Sequence, residues 1–455
     1  MKLSVFYPTF SDMAPESVLR IAEALRAKGF QAWLVGGCVR DLVLGREPKD
    51  YDIATDATPS LLVEMFPKAQ LVGAQFGVVL VEGVEVATFR SDHAYRDGRH
   101  PDEVRFETDP RQDVLRRDFT INALLLDPRH LSPPATVRSR VVDYVGGLDD
   151  LRDGIIRAIG DPERRFEEDH LRMLRAVRFA ARFGFSIEPD TLAAIQRLHA
   201  SIHRVSPERV RDELVRILTE GGARRGFELL DTTGLLAEIL PEVAAMKGVQ
   251  QPPEFHPEGD VWTHTLMMLD GVQSPTPELA LGVLLHDVGK PGTFRIAERI
   301  RFDGHVELGE KIARDILNRL RFSNAEIEQV IALVANHMRF RDVPQMRDST
   351  RKRFMRIPRF EEHLELHRLD CASSHGDLTN YEFAKAKYEE SPPDQLRPQR
   401  LLGGADLIAA GYRPGPVFSK MLDAAEDAQL EGRVRTKEEA LALVQTMFGA
   451  PMSPR

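Results

Sequence analysis

LVGGCVRDLVLG (Leu34 to Gly45) followed by REPKDYDIAT (Arg46 to Thr55) is the stretch on which the reading of the chain turns. An apolar run ending in Gly36-Gly37 reads as a strand entering a helix start, where free backbone N–H groups can hold a triphosphate without side-chain obstruction. Asp50 and Asp52 follow, and in an extended segment that spacing puts both carboxylates on one face. Carboxylates together with substrate phosphates are the ligands Mg²⁺ prefers, and a pair of such ions can activate an attacking oxygen and stabilise a leaving pyrophosphate. A third acid is expected on a neighbouring strand, and Glu85 in VEVATFR (Val84 to Arg90) is well placed for it.

Around this stretch, Glu16 to Lys28 has the pattern of an amphipathic helix and Ala32 to Val35 that of a strand. Gln75 to Val81 and Val84 to Phe89 read as a hairpin turning at Glu82-Gly83. The first 145 or so residues therefore form a small α/β unit. From about Asp150 the apolar residues recur at three and four, as in Leu171, Leu174, Ala176, Val177, Phe179 and Ala180, so the rest is expected to be helical. Loop-like breaks fall at Gln250 to Gly259, Asp342 to Thr350 and Ser391 to Pro398.

A length of 455 residues exceeds one ordinary core and implies a multidomain chain. No apolar run is long enough to span a membrane and the N-terminus lacks a signal-peptide layout, so the expected setting is cytoplasmic, with no membrane partner. Cys38 and Cys371 stand far apart, in no metal-ligand spacing, and read as buried small hydrophobes. A net charge of −9 argues against a general nucleic-acid binder but leaves room for local basic surfaces. The arginine-rich stretches Arg111 to Arg117, Arg164 to Arg182, Arg204 to Arg225 and Arg339 to Arg359 are the candidates.

The strand, Gly-Gly, the pair Arg40-Asp41 and the two acids, in this order, resemble the DNA polymerase beta-like nucleotidyltransferase superfamily. RRDFTINAL (Arg116 to Leu124), EDHLRMLRAVRFAARFGF (Glu168 to Phe185) and SPERVRDEL (Ser206 to Leu214) narrow the likeness to its bacterial class II branch, which holds CCA-adding enzymes and poly(A) polymerases. The resemblance implies an α/β nucleotidyltransferase head at 1–145 and a helical neck with a base-reading helix at 146–222. A helical body at 223–398 and a helical tail at 399–455 complete the division.

By the same resemblance Asp50, Asp52 and Glu85 are catalytic, with Mg²⁺ on the two aspartates. Arg117, Asp118 and Asn122 hold ribose and triphosphate, and Asp169 with Arg172 reads the base edge. Gly36, Gly37, Arg40, Arg175 and Arg178 complete the nucleotide-binding set. Asp169 and Arg172 are expected on one helix face, and Arg209 and Glu213, at i,i+4, as a pair that stiffens the helix behind them. The implied reaction is CCA addition to tRNA from CTP and ATP. GAQFGVV (Gly73 to Val79) lacks the basic string of the poly(A) polymerases, and SDHAYRDGRHPDE (Ser91 to Glu103), with Arg90, His93, Arg96 and Arg99 at every third position, resembles the loop that helps CCA-adding members switch from CTP to ATP. Terminal-A addition and poly(A) synthesis remain the same-class alternatives.

Farther on, His264, His286-Asp287 in LLHDVGKP (Leu284 to Pro291), His305, His337 and Asp370 form a second constellation. Imidazole with carboxylate suits a transition metal, such as Ni²⁺ or Mn²⁺, better than magnesium alone. Their order resembles the HD phosphohydrolase superfamily, which implies phosphatase and 2′,3′-cyclic phosphodiesterase work. The rival of another class is a nucleotide hydrolase or sensor whose head only binds; it would not need all of Asp50, Asp52 and Glu85.

Overall fold

The computed structural model describes residues 15–72, 77–93, 103–131 and 137–450. The chain separates into two compact units, Met1–Ala244 and Ala245–Arg455. Among the described residues no helix is long and apolar enough to cross a membrane.

The first unit is organised by a mixed six-stranded sheet, built from β1 (Trp33–Val35), β2 (Asp52–Thr55), β3 (Gln70–Leu71), β4 (Val78–Val81), β5 (Val84–Thr88) and, after the separate ribbon of β6 (Arg90–His93) and β7 (Glu103–Phe106), β8 (Leu125–Leu126). The spatial order is β3-β4-β5-β2-β1-β8. Strands β1 and β2 are antiparallel, whereas β2 and β5 run parallel in a register that sets Asp52 opposite Glu85. The hairpin β4–β5 turns at Glu82 and Gly83, whose positive φ values of 51° and 84° match the twist of the flanking strands. The helix Glu16–Ala27 buries Val18, Ile21, Ala22 and Leu25, the amphipathic face read from its spacing.

Beyond the sheet the unit is helical apart from a two-residue parallel pair, Ile155–Ile156 with Ser186–Ile187. This unit takes in the residues expected as head and neck together with 223–244 of the expected body. The neck helix Leu171–Phe183 carries Phe179 and Phe183 to the guanidinium of Arg40, which lies 4.7 Å from the Phe183 ring centroid.

The second unit packs helices around a buried cluster of histidines. Its only strands among the described residues are the short ribbon Arg295–Ile296 with Ile300–Arg301. Two of the three expected breaks hold helix: His337–Gln345 is 3-10, Asp348–Met355 and Pro393–Leu396 are α-helical, and only Gln250 to Gly259 is irregular. Polar composition misleads there because Phe340, Val343 and Phe354 are sunk in an aromatic core, and tertiary packing overrides propensity. The last helices, Val417–Leu430 and Lys437–Phe448, close a core of their own over Leu402, Leu407 and Tyr412.

One close approach fixes the histidine cluster. A Cβ on Gly289 would lie 2.1 Å from the carbonyl oxygen of His305 and 2.6 Å from the nitrogen of Gly309, so the turn after Asp287 sits directly on the helix that starts at His305. Gly289→Ala must push that helix away. The expected loss is about 1–3 kcal/mol, as for other overpacked interiors, read as a lower urea midpoint by circular dichroism.

Candidate functional site

The first cluster lies at the edge of β2. Asp52 opens the strand, Asp50 lies in the segment leading into it, and Glu85 stands beside Asp52 on β5. Burial, Glu85 and Asp50 push the Asp52 carboxyl up to about 6, with Arg117 pulling the other way. A carboxyl that burial and two neighbouring acids push toward its protonated form is suited to a divalent cation, which the fold type ordinarily uses. Among the described residues, the groups of three or more His, Asp or Glu whose ligand atoms lie within 4.8 Å of one another all fall in the second unit, and these three acids are not gathered so closely.

Gly36 has φ +74°, and a Cβ there would meet Arg117 Nη1 at 3.2 Å. The glycine thus serves the turn and lets a guanidinium approach the backbone beside the acids. Arg117 is held from behind by Asp113, at 2.9 Å. Gly37 begins the short helix Gly37–Val43, which carries Arg40 and Asp41 inward.

Asp118 links these parts. One carboxylate oxygen accepts from Arg175, with Nη2 at 2.7 Å, and the other accepts from its neighbour's backbone N–H and from Asn122 Nδ2. Asn122 Oδ1 accepts from Arg40 Nη1 at 2.6 Å, and Arg40 donates to Asp41. Burial raises the Asp118 carboxyl, but Arg175 and the Asn122 hydrogen bond outweigh it and hold it well below the usual carboxylate range. Arg178 lies behind this chain, buried and donating to Glu213 at 2.6 Å.

Asp169 and Arg172 differ from expectation. Asp169 ends the helix Pro162–Glu168 in an extended conformation, and Arg172 belongs to the first turn of the next helix, so the two do not share a face. Arg209 donates to both Asp169 oxygens, at 3.1 and 2.7 Å, and not to Glu213, which belongs to Arg178. The i,i+4 pair is absent because a partner from another helix competes better: a forked guanidinium matches a carboxylate. Arg172 donates to Glu168 at 2.8 Å and to the Arg165 carbonyl at 3.0 Å.

In the second unit all six expected ligands meet. His264 Nε2 is 3.1 Å from Asp370 Oδ1, His286 Nε2 is 3.1 Å from Asp287 Oδ2, and the Nε2 atoms of His305 and His337 are each 3.8 Å from Asp287 Oδ1. Asp287 belongs to two ligand groups, one with His264 and His286, the other with His305 and His337. His286, His305 and His337 each place Nδ1 on the backbone carbonyl three residues earlier, at 2.9, 2.9 and 2.7 Å. That commits the Nδ1 protons outward and turns the Nε2 lone pairs on one another, 3.4 Å apart for His305 and His337.

The buried Nε2 atoms of His264 and His286 make no well-directed hydrogen bond. The cluster therefore fits a cation. Burial and His286 hold His337 down at about 4, the neutral form a metal needs, whereas Asp370 and Glu258 overcome burial at His264 and lift it to about 9. The cluster opens on a cavity of about 830 Å³ that also exposes Arg299, Arg301 and Arg341.

The sequence reading passes over Lys290, whose Nζ is 2.6 Å from Asp287 Oδ2 and from Gln251 Oε1. Its adjacency to the His-Asp pair in LLHDVGKP was the available signal. It also passes over His256 and Glu258, which form a third ligand group with His264 from the irregular Gln250 to Gly259 stretch. Both cysteines are free and buried, as expected. Arg96, Arg99 and the positions of the missing basic string at 73–76 lie outside the described residues.

Comparison with known proteins matches three family models: the Poly A polymerase head domain over residues 32–157, the probable RNA and SrmB-binding site of polymerase A over 184–247, and the HD domain over 261–369. The chain is 30% identical to the CCA-adding enzyme of Lactobacillus johnsonii over 93% of its own length and 95% of that protein's. It is 35% identical to the CC-adding tRNA nucleotidyltransferase of Thermus thermophilus over 91% and 93%. A 39% match to the CCA-adding enzyme of Lactobacillus helveticus is confined to 55% of this chain and 62% of that one. The crystal structure of the Bacillus stearothermophilus CCA-adding enzyme in complex with CTP superposes with a TM-score of 0.70 at 26% identity, covering 97% of this chain and 98% of that one. With an α/β head, a helical remainder and full-length likeness to these proteins, the chain belongs to the bacterial class II tRNA nucleotidyltransferases, the family of the CCA-adding enzymes, in its HD-domain-bearing form.

Proposed function

We propose that this chain adds CCA to the 3′ end of tRNA, with CTP and ATP as donors. The observation that carries the reading is the register placing Asp52 beside Glu85 with Asp50 upstream, an acid cluster that a binding-only head would not need. The tRNA 3′-hydroxyl attacks the α-phosphate and pyrophosphate leaves. Asp50 and Asp52 would hold Mg²⁺, which when bound would activate the attacking oxygen and stabilise the leaving group. Arg117, beside the Gly36 turn, faces the phosphates, while Arg40, Asn122, Asp118 and Arg175 form one chain of hydrogen bonds that orients the ribose and triphosphate. Asp169 and Arg172 read the base, with Arg209 holding Asp169 in place. We keep the division into head, neck, body and tail at 1–145, 146–222, 223–398 and 399–455 as the functional one. Two free buried cysteines accord with a reducing compartment, and we place the reaction in the cytoplasm.

The second site we assign to hydrolysis of phosphate esters at RNA ends, with a transition metal such as Mn²⁺ or Ni²⁺ held by His264, His286, Asp287, His305, His337 and Asp370. Asp287, His305, His337 and Asp370 line one cavity with arginines on its wall, and His264 and His286 group with Asp287 behind it, which supports that reading.

The reaction is tested with tRNA transcripts ending at the discriminator base, after two cytidines, or in CCA. Growth by three, one and zero residues is expected with CTP and ATP. A halt after two cytidines would favour the CC-adding activity named for the Thermus relative, and long adenosine tails on all three would favour poly(A) synthesis.

Asp52 makes a separate prediction. Burial and the neighbouring acids raise its folded carboxyl to about 6, above the ordinary aspartate value of about 4, so between those values the folded chain keeps a proton that the unfolded chain loses, and stability falls as pH rises through the window. Chelator-treated Asp52→Asn should therefore melt above the wild type at pH 7.5, with the difference gone below about pH 4. The same variant should lose nucleotide incorporation; a fully active Asp52→Asn would remove Asp52 from the site.

Arg209→Ala frees the Asp169 carboxylate while leaving the acids on β2 and β5 untouched. Incorporation should continue with weakened preference for CTP and ATP over UTP and GTP, by about tenfold per 1.4 kcal/mol of lost orientation. Single-nucleotide competition assays on the discriminator-ended transcript measure it.

A further inference from the structure

Three of the four histidines in the second site owe their orientation to main-chain carbonyls. His286 and His337 stand at the ends of the helices Pro277–Leu285 and Asn324–Asn336, where last-turn carbonyls lack backbone partners, and each caps one, Val283 O or Val334 O. His305 uses Phe302 O, in the turn before its helix. His264 cannot follow this rule. It is the fourth residue of Val261–Gly271, so the carbonyl three residues earlier, Val261 O, lies inside the helix and already accepts from the Thr265 hydroxyl.

Its Nδ1 instead lies 2.7 Å from Glu258 Oε1, a charge contact that is not aligned as a hydrogen bond. The same oxygen takes the Nδ1 of His256 at 2.8 Å, and the Glu258 side chain is only 4% exposed although it belongs to an irregular polar stretch. We propose that Glu258 is a positioning residue for His264: its carboxylate, at contact distance from Nδ1, keeps the proton on that nitrogen and commits Nε2, which faces Asp370, to a divalent cation. His256 is the donor that pins the carboxylate. Glu258 thus does for one ligand what the backbone does for the other three. This inference rests on the reading of the cluster as a metal centre.

The test uses the full chain carrying Asp50→Asn and Asp52→Asn, so that the head does not compete, titrated with Mn²⁺ by calorimetry. Glu258→Ala should weaken Mn²⁺ by about 10–100-fold, the usual effect of removing a group that orients a ligand. Glu258→Gln should lose less than about tenfold, because an amide oxygen at the Oε1 position still faces both Nδ1–H groups, and Oε2, where the amide nitrogen would sit, has no hydrogen-bond partner. Unchanged affinity in Glu258→Ala, or equal losses in the two variants, would overturn the positioning role. Absence of Mn²⁺ binding in the parent chain would overturn the metal-centre reading itself, and the inference with it.

Discussion

The first unit depends on the buried carboxylate of Asp118. It is bonded on one side to Asn122 and thence to Arg40, and on the other to Arg175 of the helix Leu171–Phe183. Removing one partner from a buried ion pair typically costs about 3–5 kcal/mol, because the other charge is left uncompensated. The helix that carries Arg175 also carries Arg172 and Arg178, so the segment proposed to read the base is aligned to the acids on β2 and β5 by this contact. The stacking of Arg40 on Phe183 adds area to the same joint but carries no direction. Direction comes from the carboxylate.

The two candidate cation sites are built on opposite principles. In the head, Asp50 and Glu85 are exposed while Asp52 is half-buried at the start of β2, with Arg117 the base that pulls against its raised carboxyl. Such a site suits an ion that arrives with a nucleotide and leaves with pyrophosphate. In the second unit the ligands are buried imidazoles whose protons are already committed elsewhere, which suits an ion that stays.

What the sequence made legible follows from range. The hairpin at Glu82-Gly83, the strand into Gly36 and the amphipathic helix at Glu16 are decided by neighbours within a few residues, and their signals are correspondingly clean. The His and Asp positions that meet in the second unit were legible because residue type alone restricts candidate ligands. What was missed depends on partners far along the chain. Nothing near Asp169 announces that a guanidinium 40 residues on will hold it and that the helix will stop there; Glu168 and Leu171 both fit a continuous helical pattern. Glu258 was hidden for the opposite reason, since a proline- and glycine-containing stretch invites a reading as mere linker.

The capping of helix-end carbonyls by His286 and His337 has an evolutionary corollary. Ligands oriented by their own backbone need no coordinated change in neighbouring side chains, so they travel intact when a segment is duplicated, fused or recruited into another chain. His264 is the exception, tied to a loop that must be inherited alongside it. Lineages in which that loop has drifted should therefore lose this corner of the centre first, while the other three imidazoles persist as a vestige.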